Sequence, residues 1–296
     1  MVAIITHRGL EPGAGAEAWG ESTLESFRSQ LGRGFGLEFD PNPASDGWVV
    51  WHDATLARLT GGADSRPIAQ LPVAEVAGLA FGRGRVGTLE QVLDLIGELG
   101  SPASPSALHL KGERQTPELL ESLCRVLEGR PRALAALFAF DVTAASAAVL
   151  RARLPQLQLA PSVSHAYDLE RYNGCVQGTL WGLDEVCEAP GGLFGWAWVD
   201  EWDLAADSAG GRKEPPFAAE ETFRRLRAAG LRVGLVTPEL HSSSPGLLGG
   251  EAHEDAASRE RLFARIRLLL SCGLVDAVCT DWPTEVRQMA AELGVQ

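Results

Sequence analysis

The sequence has little that would staple, export or anchor a chain. Its five cysteines, Cys124, Cys175, Cys187, Cys272 and Cys279, are odd in number, widely spaced and form no CxxC pair. That argues against a disulfide framework or a zinc ribbon and suits a reducing, cytoplasmic compartment. The opening Met1-Val-Ala-Ile-Ile-Thr has no basic stretch ahead of its apolar residues, so it does not read as a signal peptide. No apolar run approaches the roughly 20 residues that a membrane helix needs. Positive charge is also short, since 26 basic against 39 acidic side chains leave a net charge of −13. Such a surface repels nucleic acid at long range, which excludes a nucleic-acid partner. It would equally repel a free phosphodiester, so a phosphate substrate requires local positive charge from a metal or from a few placed Arg and Lys residues. A homo-oligomer is left open.

Length admits two domains or one α/β barrel, because 296 residues lie near the roughly 250 of a typical barrel. The pattern decides between them: short apolar strands alternate with amphipathic helices. Strands are expected at Val2–Thr6, Gly36–Asp40, Leu108–Lys111, Leu134–Phe140, Leu157–Pro161, Leu193–Val199, Leu231–Val236 and Val275–Cys279, with a further extended run at Trp48–Trp51. Helices are expected at Thr23–Leu31, Pro72–Leu79, Thr88–Ile96, Glu118–Leu127, Ala144–Leu154, Ala218–Ala229, Ser258–Leu270 and Thr284–Leu293. Ser164–Gly192 reads as loops with one short helix around Asp184. There is no internal repeat and no long linker. The expectation is a single-domain (β/α)8 TIM barrel over residues 1–296.

A barrel of this kind carries its site at the C-terminal ends of the strands, and there the ionisable residues collect. The first strand runs into His7-Arg8-Gly9, the second ends in Glu38-Phe39-Asp40, and the extended run after it ends in His52-Asp53. The third carries His109-Leu110-Lys111, the seventh runs into Glu239-Leu240-His241, and the eighth ends in Thr280-Asp281. Strand side chains two apart share a face. Glu38 and Asp40 therefore point together, as do His109 and Lys111. Two carboxylates and a third ligand suit a hard divalent cation able to polarise a phosphoryl oxygen. Arg8 and Lys111 would supply further positive charge for the phosphate; Lys111 could also be a buried partner of Glu38, but phosphate contact is favoured because both roles can hold in one site. His7 and His52 suit a general acid–base pair, since imidazole titrates near neutral pH. Blander readings stand beside these: Glu38 and Asp40 as loop caps, Trp196, Trp198 and Trp202 as packing, Asp281 as a brace for the last loop, and His165 and His253 as loop residues.

These segments resemble, in order, the motifs of the glycerophosphodiester phosphodiesterases, relatives of the barrel-fold phospholipase D toxins. His7-Arg8-Gly9 matches the opening HRG, Glu21–Phe27 resembles ENTLxAF, and Glu38-Phe39-Asp40 is ExD. His52–Thr60 resembles HDxTLxRxT, Val86–Leu89 resembles IPTL, Ala107–Lys111 takes the place of NIEIK, and Thr280–Pro283 is TDxP. HRG alone says little; the ordered set, spread over nearly the whole chain, is specific. The resemblance implies metal-dependent hydrolysis of a glycerophosphodiester, or a related small phosphodiester, to an alcohol and glycerol 3-phosphate. It implies His7 and His52 as the acid–base pair, Glu38 and Asp40 as metal ligands, Arg8 and Lys111 on the phosphate, and Glu21 as a supporting group in the same pocket.

Three departures from the family pattern matter. His109 stands where the family has a third carboxylate ligand. Imidazole is softer, which tilts preference from Ca²⁺ toward Mg²⁺, Mn²⁺ or Zn²⁺; Glu113 would serve instead if the strand extended that far. Ser22 replaces an Asn. Val236–His241 replaces WTxN after the seventh strand, and with Asp200-Glu201-Trp202 after the sixth this points to altered substrate choice, with Glu239 and His241 as substrate-binding candidates. Two rivals remain: a lyase-like relative that stops at a cyclic phosphate, and a non-catalytic barrel that binds a phosphorylated ligand.

Overall fold

The computed structural model describes residues 2–200, 217–240 and 254–295. Eight parallel strands form a barrel: β1 (Ala3–His7), β2 (Gly36–Phe39), β3 (Ser106–His109), β4 (Leu137–Phe140), β5 (Gln158–Ala160 continued by Ser162–Val163), β6 (Trp196–Val199), β7 (Arg232–Val236) and β8 (Ala277–Thr280). β1 lies between β8, with Ile5 opposite Cys279, and β2, with His7 opposite Glu38. Closure falls at β5, which Pro161 divides. Its first half pairs with β4 and its second with β6. Proline has no N–H to give a ladder, but its carbonyl still accepts from the Trp198 N–H at 2.9 Å, and the Gly195 N–H reaches Leu159 O at 3.1 Å. The barrel therefore closes across the break. The expected TIM barrel is the observed fold.

Alternation divides each strand between two cores. Ile4, Leu37, Phe39, Leu108, Ala139, Ala197 and Val233 face the surrounding helices. Ala3, Ile5, Ala107, Phe138, Phe140, Ala160, Trp196, Trp198, Ala277 and Cys279 fill the interior. Aromatics from β4 and β6 occupy the centre: Phe138 stacks on Trp196 at 5.0 Å, and Phe140 lies 4.7 Å from Trp198. Small residues opposite make room for them. At Gly234 an added Cβ would come within 2.6 Å of the Trp198 ring. The two tryptophans are thus barrel packing, whereas Trp202 lies outside the described residues.

The outer helices start where short polar side chains can cap them. Thr23 accepts from the Ser26 N–H at the head of Leu24–Gly32, Thr88 forms a reciprocal capping box with Gln91, and Thr116, Thr143 and Ser258 cap three more. Each cap satisfies an amide that the helix leaves unpaired. The helices then bury one face on the barrel, as Phe27 and Leu31 do, each side chain contributing about 1.5–3 kcal/mol.

Several expected boundaries shift. The helix expected at Pro72–Leu79 is a single turn, Val73–Val76, ending where Gly78 takes φ 90°. Leu134 belongs to a helical turn, Pro131–Leu134, so β4 starts three residues later. Trp48–Val50 pairs antiparallel with Pro41–Pro43, outside the barrel. Between Ser164 and Gly192 there are two helices, Ala166–Tyr172 and Leu183–Glu188, and a two-residue strand, Leu180–Trp181, on β5. His165 caps the first of these helices by accepting from the Tyr167 N–H. Among the described residues no helix is long and apolar enough to cross a membrane.

Candidate active site

The site grows from the turn after β1. Arg8 and Gly9 both take left-handed backbone, at φ 52° and 73°. A side chain at Gly9 would put its Cβ 2.0 Å from the Ser26 hydroxyl, which itself donates to Gly9 O. Only glycine fits there, and the turn leaves Arg8 buried within the barrel mouth. Arg8 reaches Glu21 at 3.7 Å and Asp40 at 3.5 Å. Its backbone N–H lies 3.3 Å from a Glu38 carboxylate oxygen.

Glu38 and Asp40 share a face, as alternation requires, and His109 of β3 joins them. Its Nδ1 lies 3.0 Å from Asp40 and 3.7 Å from Glu38. One donor atom from each of the three residues falls within 4.8 Å of the others. Donors held about 2.1 Å from one Mg²⁺ ion lie roughly 3–4 Å apart, and both His109 separations fall in that range. The electrostatics of the cluster fit as well. Burial, then the charge of Asp40, raises the Glu38 pKa. Burial would raise Asp40 too, but Lys111, His52, His109 and Arg8 outweigh it and hold that carboxylate well below its ordinary range. A dication would relieve the repulsion between the two. Burial lowers the His109 pKa, yet hydrogen bonds to Asp141 and Asp40 prevail and carry it up to about 9. A metal at Nδ1 would displace the proton there.

Each of the two candidate acid–base imidazoles is held by a carboxylate. His7 Nδ1 lies 2.8 Å from Asp281, past the end of β8. His52 Nδ1 lies 2.7 Å from Asp53. Asp53 is gripped in turn by Arg58 at 2.7 and 3.0 Å, and the same guanidinium reaches Glu21 at 2.6 Å while lying 4.6 Å over the Trp51 ring. Burial keeps His52 neutral, with its pKa pushed down to about 3 despite Asp40 and Asp53. Lys111 pairs with Asp40 at 3.3 Å, rather than with Glu38, and donates to His52 O at 2.9 Å.

The remaining candidates divide. Glu239 is buried beside Asp281, accepting from the Thr280 hydroxyl at 2.6 Å and the Asp281 N–H at 3.1 Å. His241, Glu201 and His253 lie outside the described residues. Glu113 is excluded as a substitute ligand. β3 stops at His109, Gly112–Arg114 is a 3-10 turn, and the Glu113 side chain turns outward to Arg114. Sequence reasoning gave no role to Asp53, Arg58 or Asp141. For Asp53 and Arg58 the signal was present in the HDxTLxR segment; Asp141 carried none.

A family model for the glycerophosphoryl diester phosphodiesterase family matches residues 7–171, more than half of the chain, a span that holds His7, Glu38, Asp40, His52 and His109. The chain therefore belongs to that family of phosphodiesterases, and its activity is glycerophosphodiester hydrolysis. No curated protein sequence matches the chain. Solved structures share the fold at low identity. One, from Agrobacterium tumefaciens, is provisionally described as a glycerophosphoryl diester phosphodiesterase; it is 20% identical with TM-score 0.66, over 100% of both chains. A glycerophosphoryl diester phosphodiesterase from Parabacteroides distasonis is 17% identical with TM-score 0.63, over 99% of this chain and 87% of that one. An Oleispira antarctica phosphodiesterase in complex with its product sn-glycerol-3-phosphate is 19% identical with TM-score 0.60, over 98% and 96%.

Proposed function

We propose that the chain hydrolyses a glycerophosphodiester to an alcohol and glycerol 3-phosphate by metal-assisted His/His acid–base catalysis. The observation that carries this reading is the pair of carboxylate-braced imidazoles, His7–Asp281 and His52–Asp53, around Glu38, Asp40 and His109. Bracing at Nδ1 leaves each Nε2 for proton transfer, one imidazole acting on the nucleophile and the other on the leaving alcohol. Glu38, Asp40 and His109 would hold the cation. Mg²⁺ or Ca²⁺, with Mn²⁺ or Zn²⁺ as alternatives, would supply Lewis-acid charge at the phosphoryl group when bound. Arg8 and Lys111 sit beside Asp40, where they can neutralise phosphate oxygens. Glu21 positions Arg8 and Arg58, and Glu239 secures the loop bearing Asp281; the contacts to Arg8 and Asp281 are buried and that to Arg58 half-buried.

The test is phosphorus NMR of glycerophosphocholine and related diesters incubated with purified protein and Mg²⁺, Mn²⁺ or Ca²⁺, with a chelator control. Glycerol 3-phosphate should accumulate and the chelator should stop it. A terminal cyclic phosphate would convert the reading to a lyase. No turnover with any metal would sink it in favour of a binding protein.

A further inference from the structure

The third position of the cluster is an imidazole, and an imidazole has two nitrogens whose roles must be set. Nδ1 faces Asp40 and Glu38; Nε2 lies 3.0 Å from Oδ2 of Asp141. A histidine that donates from one nitrogen to a carboxylate presents the lone pair of the other to a metal, and that outer partner fixes both tautomer and ring plane. The ring is fixed from a second direction by Phe140, stacked at 4.5 Å with the planes 15° apart.

Asp141 does not reach this position by strand geometry. Phe138 and Phe140 point into the barrel, so continued alternation would send residue 141 outward. Its backbone instead takes φ 66°, a left-handed conformation that Asp and Asn tolerate better than most residues, and the carboxylate turns back to the barrel mouth. The turn is clamped by Gln115, whose amide donates to Asp141 O at 2.6 Å and to Leu110 O at 2.7 Å and whose carbonyl accepts from the Thr143 N–H at 3.0 Å. The side chain is buried.

We infer that Asp141 is a positioning residue for metal binding: it holds the Nε2–H tautomer of His109 so that Nδ1 completes the site with Glu38 and Asp40. A carboxylate at the end of β4 thereby offsets the negative charge absent from β3. The inference rests on the reading of Glu38, Asp40 and His109 as ligands.

Asp141→Asn tests it cleanly, because Asn accepts the same φ and is isosteric. Mn²⁺ binding, followed by electron paramagnetic resonance without substrate, should weaken about 10–100-fold, with circular dichroism and thermal midpoint close to the parent. Long-range proton–nitrogen correlation spectra of the Mg²⁺-loaded parent should show His109 protonated at Nε2, and the variant should lose that signature. Equal Mn²⁺ affinity of parent and variant would overturn the inference and leave the ligand assignment standing, whereas a Nδ1–H tautomer in the Mg²⁺-loaded parent would remove His109 from the ligand set and overturn the inference with it. A parent that binds no Mn²⁺, Mg²⁺ or Ca²⁺ would overturn the ligand assignment itself and the inference with it.

Discussion

His7 and Asp281 meet at 2.8 Å across 274 positions of sequence, joining the first barrel strand to the turn after the last. The contact requires the first and last barrel strands to be neighbours, and β1 and β8 pair in parallel. In the proposed mechanism it also sets chemistry: Asp281 would accept the Nδ1 proton and leave Nε2 as the reacting nitrogen.

Replacing His7 by Ala should lower kcat about 10²–10⁴-fold with little change in KM, the behaviour of a lost proton-transfer group. Asp281→Ala should act in the same direction and less severely, since the imidazole remains but is no longer oriented. Steady-state kinetics on a glycerophosphodiester checks both, and wild-type kcat in His7→Ala would remove that residue from the mechanism.

How far the site could be read from sequence follows from alternation. Glu38 on β2 and Asp40 one residue past its end had to share a face, and both join His109 in one cluster. Asp281, two residues beyond the inward Cys279, was placed at the rim in the same way, but its partnership with His7 was not foreseen. Asp141 was not legible, because a positive φ reverses its direction and periodicity carries no sign of that. The eight strands were visible as apolar segments, but the division of β5 was not. Leu157–Pro161 reads as one strand, and only the placement of Pro161 shows where pairing passes from β4 to β6. Motif positions off the barrel strands, such as Asp53 and Arg58, lie in a segment with its own small core of Val49, Trp51, Leu56, Leu59, Ile68, Leu71, Val76 and Val86. Their partnership depends on that packing.

His109 is the proposed ligand that differs from the family pattern, and substitution should expose the difference. His109→Ala should weaken Mn²⁺ binding at least about tenfold. His109→Glu should move relative activity toward Ca²⁺, because a carboxylate is the harder donor. Isothermal titration with Mg²⁺, Mn²⁺ and Ca²⁺, paired with activity in each metal, measures both effects. An unchanged titration in the Ala variant would remove His109 from the ligand set.

The barrel interior admits no added atom at β7. A Cβ at residue 234 would stand 2.6 and 2.9 Å from two atoms of the Trp198 ring, which is packed on Phe138 and Phe140. Gly234→Ala should therefore destabilise the protein by roughly 1–3 kcal/mol through overpacking. The thermal midpoint should fall by several degrees, measurable by scanning calorimetry. An unchanged midpoint would mean that the tryptophan has room to shift.

The Asp53–Arg58 pair should give stability a measurable acid dependence. Burial would raise the Asp53 carboxyl, but hydrogen bonds from His52 and Arg58 prevail and hold it below its ordinary value of 3.8. A carboxylate whose pKa is depressed by folding stabilises the native state fully above its unfolded value, and that stabilisation is lost as pH falls toward the folded one. The stability difference between the parent and Asp53→Asn should thus be flat from about pH 7 to about pH 5 and shrink steadily below about pH 4. Arg58→Ala should weaken this dependence without removing it, because Asp53 loses both guanidinium hydrogen bonds but keeps the one from His52. Urea unfolding at matched ionic strength across this range reads the difference directly, and a parent–variant gap that stayed constant down to about pH 2.5 would show that Asp53 is not held below its ordinary range.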